Sequence, residues 1–238
     1  RVLFRSALKD NIMTTNMPTS GGALAFLNYV PPYEATLVEN LRAAGAIIMA
    51  KSTLTELANW IAGPPTPMAG GYNAVRGYSY NPYDPRSQPN GEPVLSTGGS
   101  SSAIGVAANL WAANVGTDTG GSVINPSNLT MIVGIRPTIA RVSRWGVIPI
   151  TLDQDMAGPM AKTVTDAAIM LGAMEGKQAD PHDEGTKTCQ PPPNNDYTPF
   201  LKADALKGAR IGIPRAVFYE AFKLPGASEP SRGLRPDE

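Results

Sequence analysis

The chain of 238 residues contains one histidine and one cysteine, and these two shortages exclude a good deal of chemistry. A lone cysteine, Cys189, allows no disulfide within the chain, and with one histidine it is too little for a zinc site built mainly from those ligands. No EF-hand spacing of carboxylates appears, so neither a metal nor a cofactor is expected. Neither sign of charge is in excess: 20 Lys and Arg balance 20 Asp and Glu. That balance gives no electrostatic case for nucleic acid or an anionic membrane as a partner. No apolar run approaches the roughly 20 residues needed to span a bilayer. The lone histidine, His182, stands in Asp180-Pro181-His182-Asp183-Glu184, which reads as a solvated acidic loop.

What is present, 42% hydrophobic and 17% charged residues, suits a globular protein with a sizeable core. The most informative segment is Gly116-Thr117-Asp118-Thr119-Gly120-Gly121-Ser122, with Gly98-Gly99-Ser100-Ser101-Ser102 upstream. It puts one serine on a tight glycine turn and a cluster of serines before it. A serine hydroxyl is a poor nucleophile until a base takes its proton, and the common base is imidazole. With His182 set aside, a lysine remains, and Lys9 in Ala7-Leu8-Lys9-Asp10-Asn11-Ile12 fits. A lysine with a pKa of about 10.4 is neutral in only ~0.04% of molecules at pH 7, so a useful base needs a depression of roughly 3 units. Leu8 and Ile12 suit an apolar setting for it, and Asp10 beside it pulls the other way.

Leu37, Val38, Leu41 and Ala44 share one face of a helix that Gly45 stops. Ala46 to Ala50 has strand length, and Thr53 with Glu56 offers a capping box for a following helix. Residues 61–99, rich in Gly, Pro, Asn and Tyr, are expected to form a long ordered loop, which at that length normally has a functional reason. Ala103 to Val115 reads as a buried alanine-rich helix, Met131 to Ile135 as a buried strand, and Val142 and Val147 to Ile150 as strand or turn. Thr163 caps a helix through Met174 with Asp166 at the capping-box position; a polar connection over 176–199 leads to a last strand, Arg210 to Pro214. Strands alternating with helices argue for an α/β fold with a largely buried mixed sheet. Arg1 to Ser6 is expected to be a non-native scar without structural role. The chain is expected to lack both native termini, which hides any signal peptide and leaves a cytoplasmic setting only weakly favoured.

Several motifs in order make the chain resemble the amidase signature family, whose members hydrolyse amide bonds with two serines and a lysine. The resemblance runs from about Ala7 to Phe222. It is carried by Leu8-Lys9-Asp10-Asn11-Ile12, Asn81-Pro82-Tyr83-Asp84, Gly98-Gly99-Ser100-Ser101, Gly116 to Ser122, and Val133-Gly134-Ile135-Arg136-Pro137-Thr138. It implies an amidase-signature-like α/β core over 7–238, a mixed, mostly parallel sheet flanked by helices, incomplete in this chain. It also implies that Ser122 is the nucleophile, Ser100 a bridging serine in a cis peptide, and Lys9 the base drawing a proton through Ser100. The backbone N–H groups of Thr119, Gly120, Gly121 and Ser122 become the oxyanion hole, with Ser101, Thr117 and Asp118 in support. Two adjacent glycines suit that hole because they let several donors converge, and one such donor is typically worth about 3 to 4 kcal/mol. Lys51, the other lysine weighed as a base, is structural by the same resemblance; Arg136 reads as a structural ion-pairing residue, and Trp111 and Trp145 as core or pocket wall rather than stacking platforms.

The chain departs from the family in spacing, since members usually have two more residues than the 22 from Ser100 to Ser122. A two-residue deletion before the Ala103 helix keeps Ser100 in the role, with Ser101 or Ser102 as alternatives. Residues 85–97 look like a compensating insertion at the site mouth. The implied activity is hydrolysis of a carboxylic or peptide amide through an acyl-enzyme on Ser122. Val142-Ser143-Arg144-Trp145-Gly146 and Asp153 to Pro159 resemble stand-alone amidases, so a small-molecule or peptide amide is the expected partner, with a homo-oligomer left open. The alternatives are the amidase component of a glutamine-dependent tRNA amidotransferase and a catalytically silent fragment or ligand-binding pseudoenzyme.

Overall fold

The computed structural model describes residues 4–62, 65–66, 68–97, 101–188, 190–213, 215, 219–223, 225–226 and 228–230. Ser100, the expected bridging serine, lies outside the described residues together with Gly98 and Gly99, as do Cys189 and Pro214. The chain forms two units, Arg1–Phe200 and Leu201–Glu238.

The first unit runs β1 (Phe4–Lys9), α1 (Thr36–Ala44), β2 (Ala46–Ser52), β3 (Tyr72–Asn73), β4 (Gly77–Tyr78), α2 (Ser102–Ala107), β5 (Ala113–Asp118), α3 (Ile124–Leu129), β6 (Val133–Gly134), β7 (Met156–Ala161) and α4 (Val164–Met174). Five strands form one sheet in the order β2-β1-β5-β7-β6, and β3-β4 is a separate hairpin. β1 pairs in parallel with β2 and β5, whereas β7 pairs antiparallel with β5 and β6. The expected mixed α/β sheet is therefore present, with its pairings divided evenly rather than mostly parallel.

α1 follows its sequence: Leu37, Val38 and Leu41 are fully buried, each side chain worth roughly 1.5 to 3 kcal/mol. Gly45 at φ +103° ends the helix, its N–H donating to the carbonyls of Leu41 and Arg42. α4 is capped as expected, the Asp166 N–H donating to Thr163 Oγ1 at 3.0 Å. These two helices share a core with Leu8, Ile48, Val115, Ala157 and Ala161. Met160, on the opposite face of β7 from Ala161 by strand alternation, packs instead with Ala103 of α2 and with Val123.

Several expectations are corrected. Phe4 to Ser6 have a structural role, forming the first half of β1 against Ala46 to Ile48. The helix expected over Ala103 to Val115 stops at Ala107, and Ala113 onward is a central strand. The chain doubles back between them: Asn109 has φ +62°, and the Trp111 indole sits so close over Gly105 that a Cβ there would lie 2.0 Å from it. Thr53 and Glu56 form no capping box, because Leu57, Ala58 and Asn59 all take positive φ. Thr53 Oγ1 accepts from Asn73 Nδ2 at 2.8 Å, and the Glu56 carboxylate accepts the Ala74 N–H at 2.8 Å, so both anchor the β3-β4 hairpin. The expected 61–99 loop thus contains short ladders, including the Ser87–Pro93 bridge within the expected insertion.

Of Met131 to Ile135 only Val133 and Gly134 pair, and Met131 is 79% exposed at φ +55°. β7 is not legible in the sequence because it contains Gly158 and Pro159; glycine is needed where the Ile135 carbonyl oxygen would lie 2.1 Å from an added Cβ. In the second unit Arg210 to Ile213 form no strand and are exposed, with no ladder partner among the described residues. That unit is turn-rich and carries an Arg215–Glu220 ion pair at 3.1 Å. No helix among the described residues is long and apolar enough to cross a membrane.

Candidate active site

The parallel strands β1 and β5 run side by side, Leu8 opposite Val115, so their C-terminal ends open at the same edge of the sheet. Lys9, the last residue of β1, is fully buried, and its Nζ donates to the Thr117 carbonyl oxygen at 3.1 Å. Burial pushes its amine from 10.5 down to about 7, against an upward pull from the Asp118 and Asp155 carboxylates. About half of such lysines are neutral at pH 7. Asp10, its sequence neighbour, is engaged elsewhere, by Lys51 at 3.4 Å and by the Ser20 hydroxyl. Lys51 also bonds Thr19 Oγ1 at 2.8 Å and so acts as the structural tie expected of it; burial lowers its amine to about 8, with Asp10 pulling it up.

Past Thr117 the chain turns around a single carboxylate. Asp118 Oδ1 accepts the Gly121 N–H at 2.7 Å and Arg136 Nε at 3.0 Å, while Oδ2 accepts the Val123 N–H at 2.7 Å and that of Ile124 at 3.3 Å. Burial favours the neutral acid, but the Val123 and Gly121 N–H groups and Arg136 hold the carboxyl below its ordinary range. Arg136 is thus the ion-pairing residue expected. Gly121 sits at φ +119°, a conformation that only glycine takes without strain. A Cβ at Gly120 or Gly121 would meet nothing within 4 Å among the described residues. Of the four N–H groups expected at the oxyanion position, that of Gly121 is engaged by Asp118. Ser122 ends the turn, half-buried.

The serine cluster docks on the same edge. Ser101 and Ser102 are buried; the Ser102 carbonyl accepts from Asn114 Nδ2 at 2.7 Å, and Ser52 Oγ donates to Ser102 Oγ at 3.2 Å. Ser52 stands opposite Lys9 in the β1-β2 register. Lys9, Thr117, Asp118, the Thr119 to Ser122 turn and Ser101–Ser102 are thereby brought together, while Ser100 lies outside the described residues. A cleft of about 650 Å³ opens at Ser101, lined also by Asp10, Lys51, Ser52 and Trp111.

Trp111 is pocket wall as expected, but Trp145 stacks, with ring centroids 5.3 Å from Tyr33 and 4.6 Å from His182. His182 Nδ1 lies 3.1 Å from Asp180 Oδ1. Among the described residues no cluster of His, Cys, Asp or Glu could hold a metal ion. Two participants are not singled out by the sequence. Asn11 Nδ2 donates to Thr117 Oγ1 at 3.0 Å, and Asp155 takes the Thr119 hydroxyl together with two backbone N–H groups. Asn11 lies within the Leu8 to Ile12 motif, two residues from Lys9, and Asp155 within the Asp153 to Pro159 segment, but no spacing gives either one its partner.

A mixed sheet flanked by helices is the fold that known structures share with this chain. The Amidase family model matches residues 6–225, and the chain belongs to the amidase family. It is 40% identical over 226 residues to a glutamyl-tRNA(Gln) amidotransferase subunit of Chloroflexus aurantiacus, covering 95% of this chain and 42% of the relative. The crystal structure of a peptide amidase from Stenotrophomonas maltophilia superposes with a TM-score of 0.77 at 40% identity, over 86% of this chain and 40% of that one. An amidase family protein from Bacillus anthracis gives a TM-score of 0.76 at 38% identity, over 86% and 38%. The chain thus spans about two fifths of the length of the relatives it matches.

Proposed function

We propose that this chain carries the reaction centre of an amide hydrolase in which Ser122 is acylated and Lys9, acting through Ser100, is the base. The observation that supports this most is the fully buried Lys9 amine, lowered to about 7 and held against Thr117 where the glycine turn begins. On this reading the neutral amine accepts a proton relayed by Ser100 as Ser122 Oγ attacks the amide carbonyl. The oxyanion is met by the N–H groups of Thr119, Gly120 and Ser122, where one lost donor typically costs about 3 to 4 kcal/mol. The proton returns to the departing amine or ammonia, and water then frees the acid from Ser122.

A fluorophosphonate reports on the first half of this sequence without a known substrate, because Ser122 Oγ displaces fluoride from phosphorus while its proton leaves through the same relay. Peptide mapping is expected to find the adduct on Ser122 and to find none in Ser122→Ala at unchanged circular dichroism. Equal labelling of both proteins sinks the proposal.

The likeness to a tRNA-dependent amidotransferase favours a second reading, in which the same serine acts on glutamine within a larger assembly. Comparing glutamine with a panel of peptide and small-molecule amides, with and without added partner proteins, separates the two. Hydrolysis of a peptide amide by the chain alone supports the stand-alone reading, and turnover of glutamine that requires partners supports the other.

A further inference from the structure

Resting on that reading, we propose that Asp155 is a positioning residue of the reaction, tying the oxyanion turn in place and serving as a fixed counter-charge to the Lys9 ammonium that proton transfer creates. Asp155 is buried and precedes β7, far in sequence from both Lys9 and the turn. Its Oδ1 accepts the hydroxyl of Thr119, the first residue of the turn. Its Oδ2 accepts the N–H groups of Ile150 and Thr151 at 2.7 and 2.9 Å. The segment so held is itself fixed to the exit of β1, where the Ile148 N–H donates to the Asn11 carbonyl at 2.9 Å. Asn11 Nδ2 completes a parallel tie, bonding Thr117 Oγ1 at 3.0 Å and the Ile148 carbonyl at 3.4 Å. The chain on either side of Asp118 is therefore clamped by side chains, Asn11 before it and Asp155 after it.

The clamp has an electrostatic side. The amine of Lys9 is buried, so the proton it accepts creates a cation with little water to solvate it. Asp118 and Asp155 are the carboxylates that raise its affinity for a proton. Asp118 is consumed by the turn and by Arg136, whereas Asp155 has no cationic partner among its hydrogen bonds. Arg144, which donates to both carboxylate oxygens of Asp183, also acts on Asp155 through space, and Lys51 and Asp10 are paired with each other.

The test reads the rate of fluorophosphonate labelling of Ser122 against pH in three chains. In the parent the rate rises with pH and is half-maximal near pH 7, where Lys9 loses its proton. In Asp155→Asn the half-maximal pH is expected to move down by about one unit, with a plateau roughly tenfold lower because the base is weaker. Thr119→Val breaks the tie but keeps the charge, so its plateau falls while its half-maximal pH stays. Asp155→Glu returns the half-maximal pH to the parent value. If Asp155→Asn does not keep the parent circular dichroism, Asp155→Ser, which still accepts an N–H, takes its place. A half-maximal pH that is the same with and without the carboxylate overturns the proposal and leaves Asp155 a structural ligand. Absence of labelling in the parent chain counts instead against the Ser122 assignment on which the proposal rests.

Discussion

At the scale of single residues, Lys9 sets function against stability. Its amine falls from 10.5 in the free side chain to about 7 in the fold, and at about 1.4 kcal/mol per unit this corresponds to roughly 5 kcal/mol of destabilisation in acid. The sign follows from proton counting. Between pH 7 and 10.5 the unfolded chain holds a proton on Lys9 that the folded chain has released, so stability rises as the pH climbs through that window and levels off above it. Below it both states are protonated and the full cost is present. Lys9→Met fills the same buried volume without charge. It is therefore expected to raise the melting temperature, most at pH 6 and progressively less toward pH 10, as followed by circular dichroism. A gain that does not vary with pH would show that packing, not charge burial, is what changes. The same variant is expected to lose Ser122 labelling at every pH.

Among elements, the turn from Thr119 to Ser122 shows how two neighbouring glycines differ in kind. Gly121 has φ +119° and Gly120 does not have a positive φ, while a Cβ on either meets nothing within 4 Å among the described residues. Gly121→Ala thus costs backbone strain alone, about 1 to 3 kcal/mol, and is expected to lower both the melting temperature and the labelling rate. Gly120→Ala keeps the stability within about 1 kcal/mol of the parent. Equal losses in the two variants would mean that the conformation at Gly121 is not what the turn depends on.

The elements also show what is legible in the sequence. α1, β2 and α4 are readable because local rules decide them: apolar spacing, a glycine stop, and Thr163 with Asp166. The glycine turn, Lys9 and the supporting Thr117 and Asp118 are readable because each lies in a compact motif. β5 reads as helix because Ala113 to Val115 continue an alanine-rich run, and only pairing with β1 and β7 distinguishes them. β7 is hidden by Gly158 and Pro159, residues that mark a loop until the Ile135 carbonyl is seen packed on the glycine. Asp155 is hidden because the Thr119 hydroxyl it holds lies 36 residues away, on the turn.

In the whole molecule, the candidate centre occupies one edge of a five-stranded sheet in a chain about two fifths as long as its relatives. That edge gathers residues from β1, from the middle of the chain and from the approach to β7, so the site forms only when the order β2-β1-β5-β7 is complete. A second, unrelated convergence lies in the stack of Tyr33, Trp145 and His182, which draws on three distant stretches. Held face to face with Tyr33 and His182, Trp145 is also a built-in lamp, because its emission depends on those stretches staying packed together. Unfolding in urea is expected to change tryptophan emission, and Trp145→Phe to reduce that change. The chain thus carries its own optical gauge of assembly, read without a label and separate from the reaction centre.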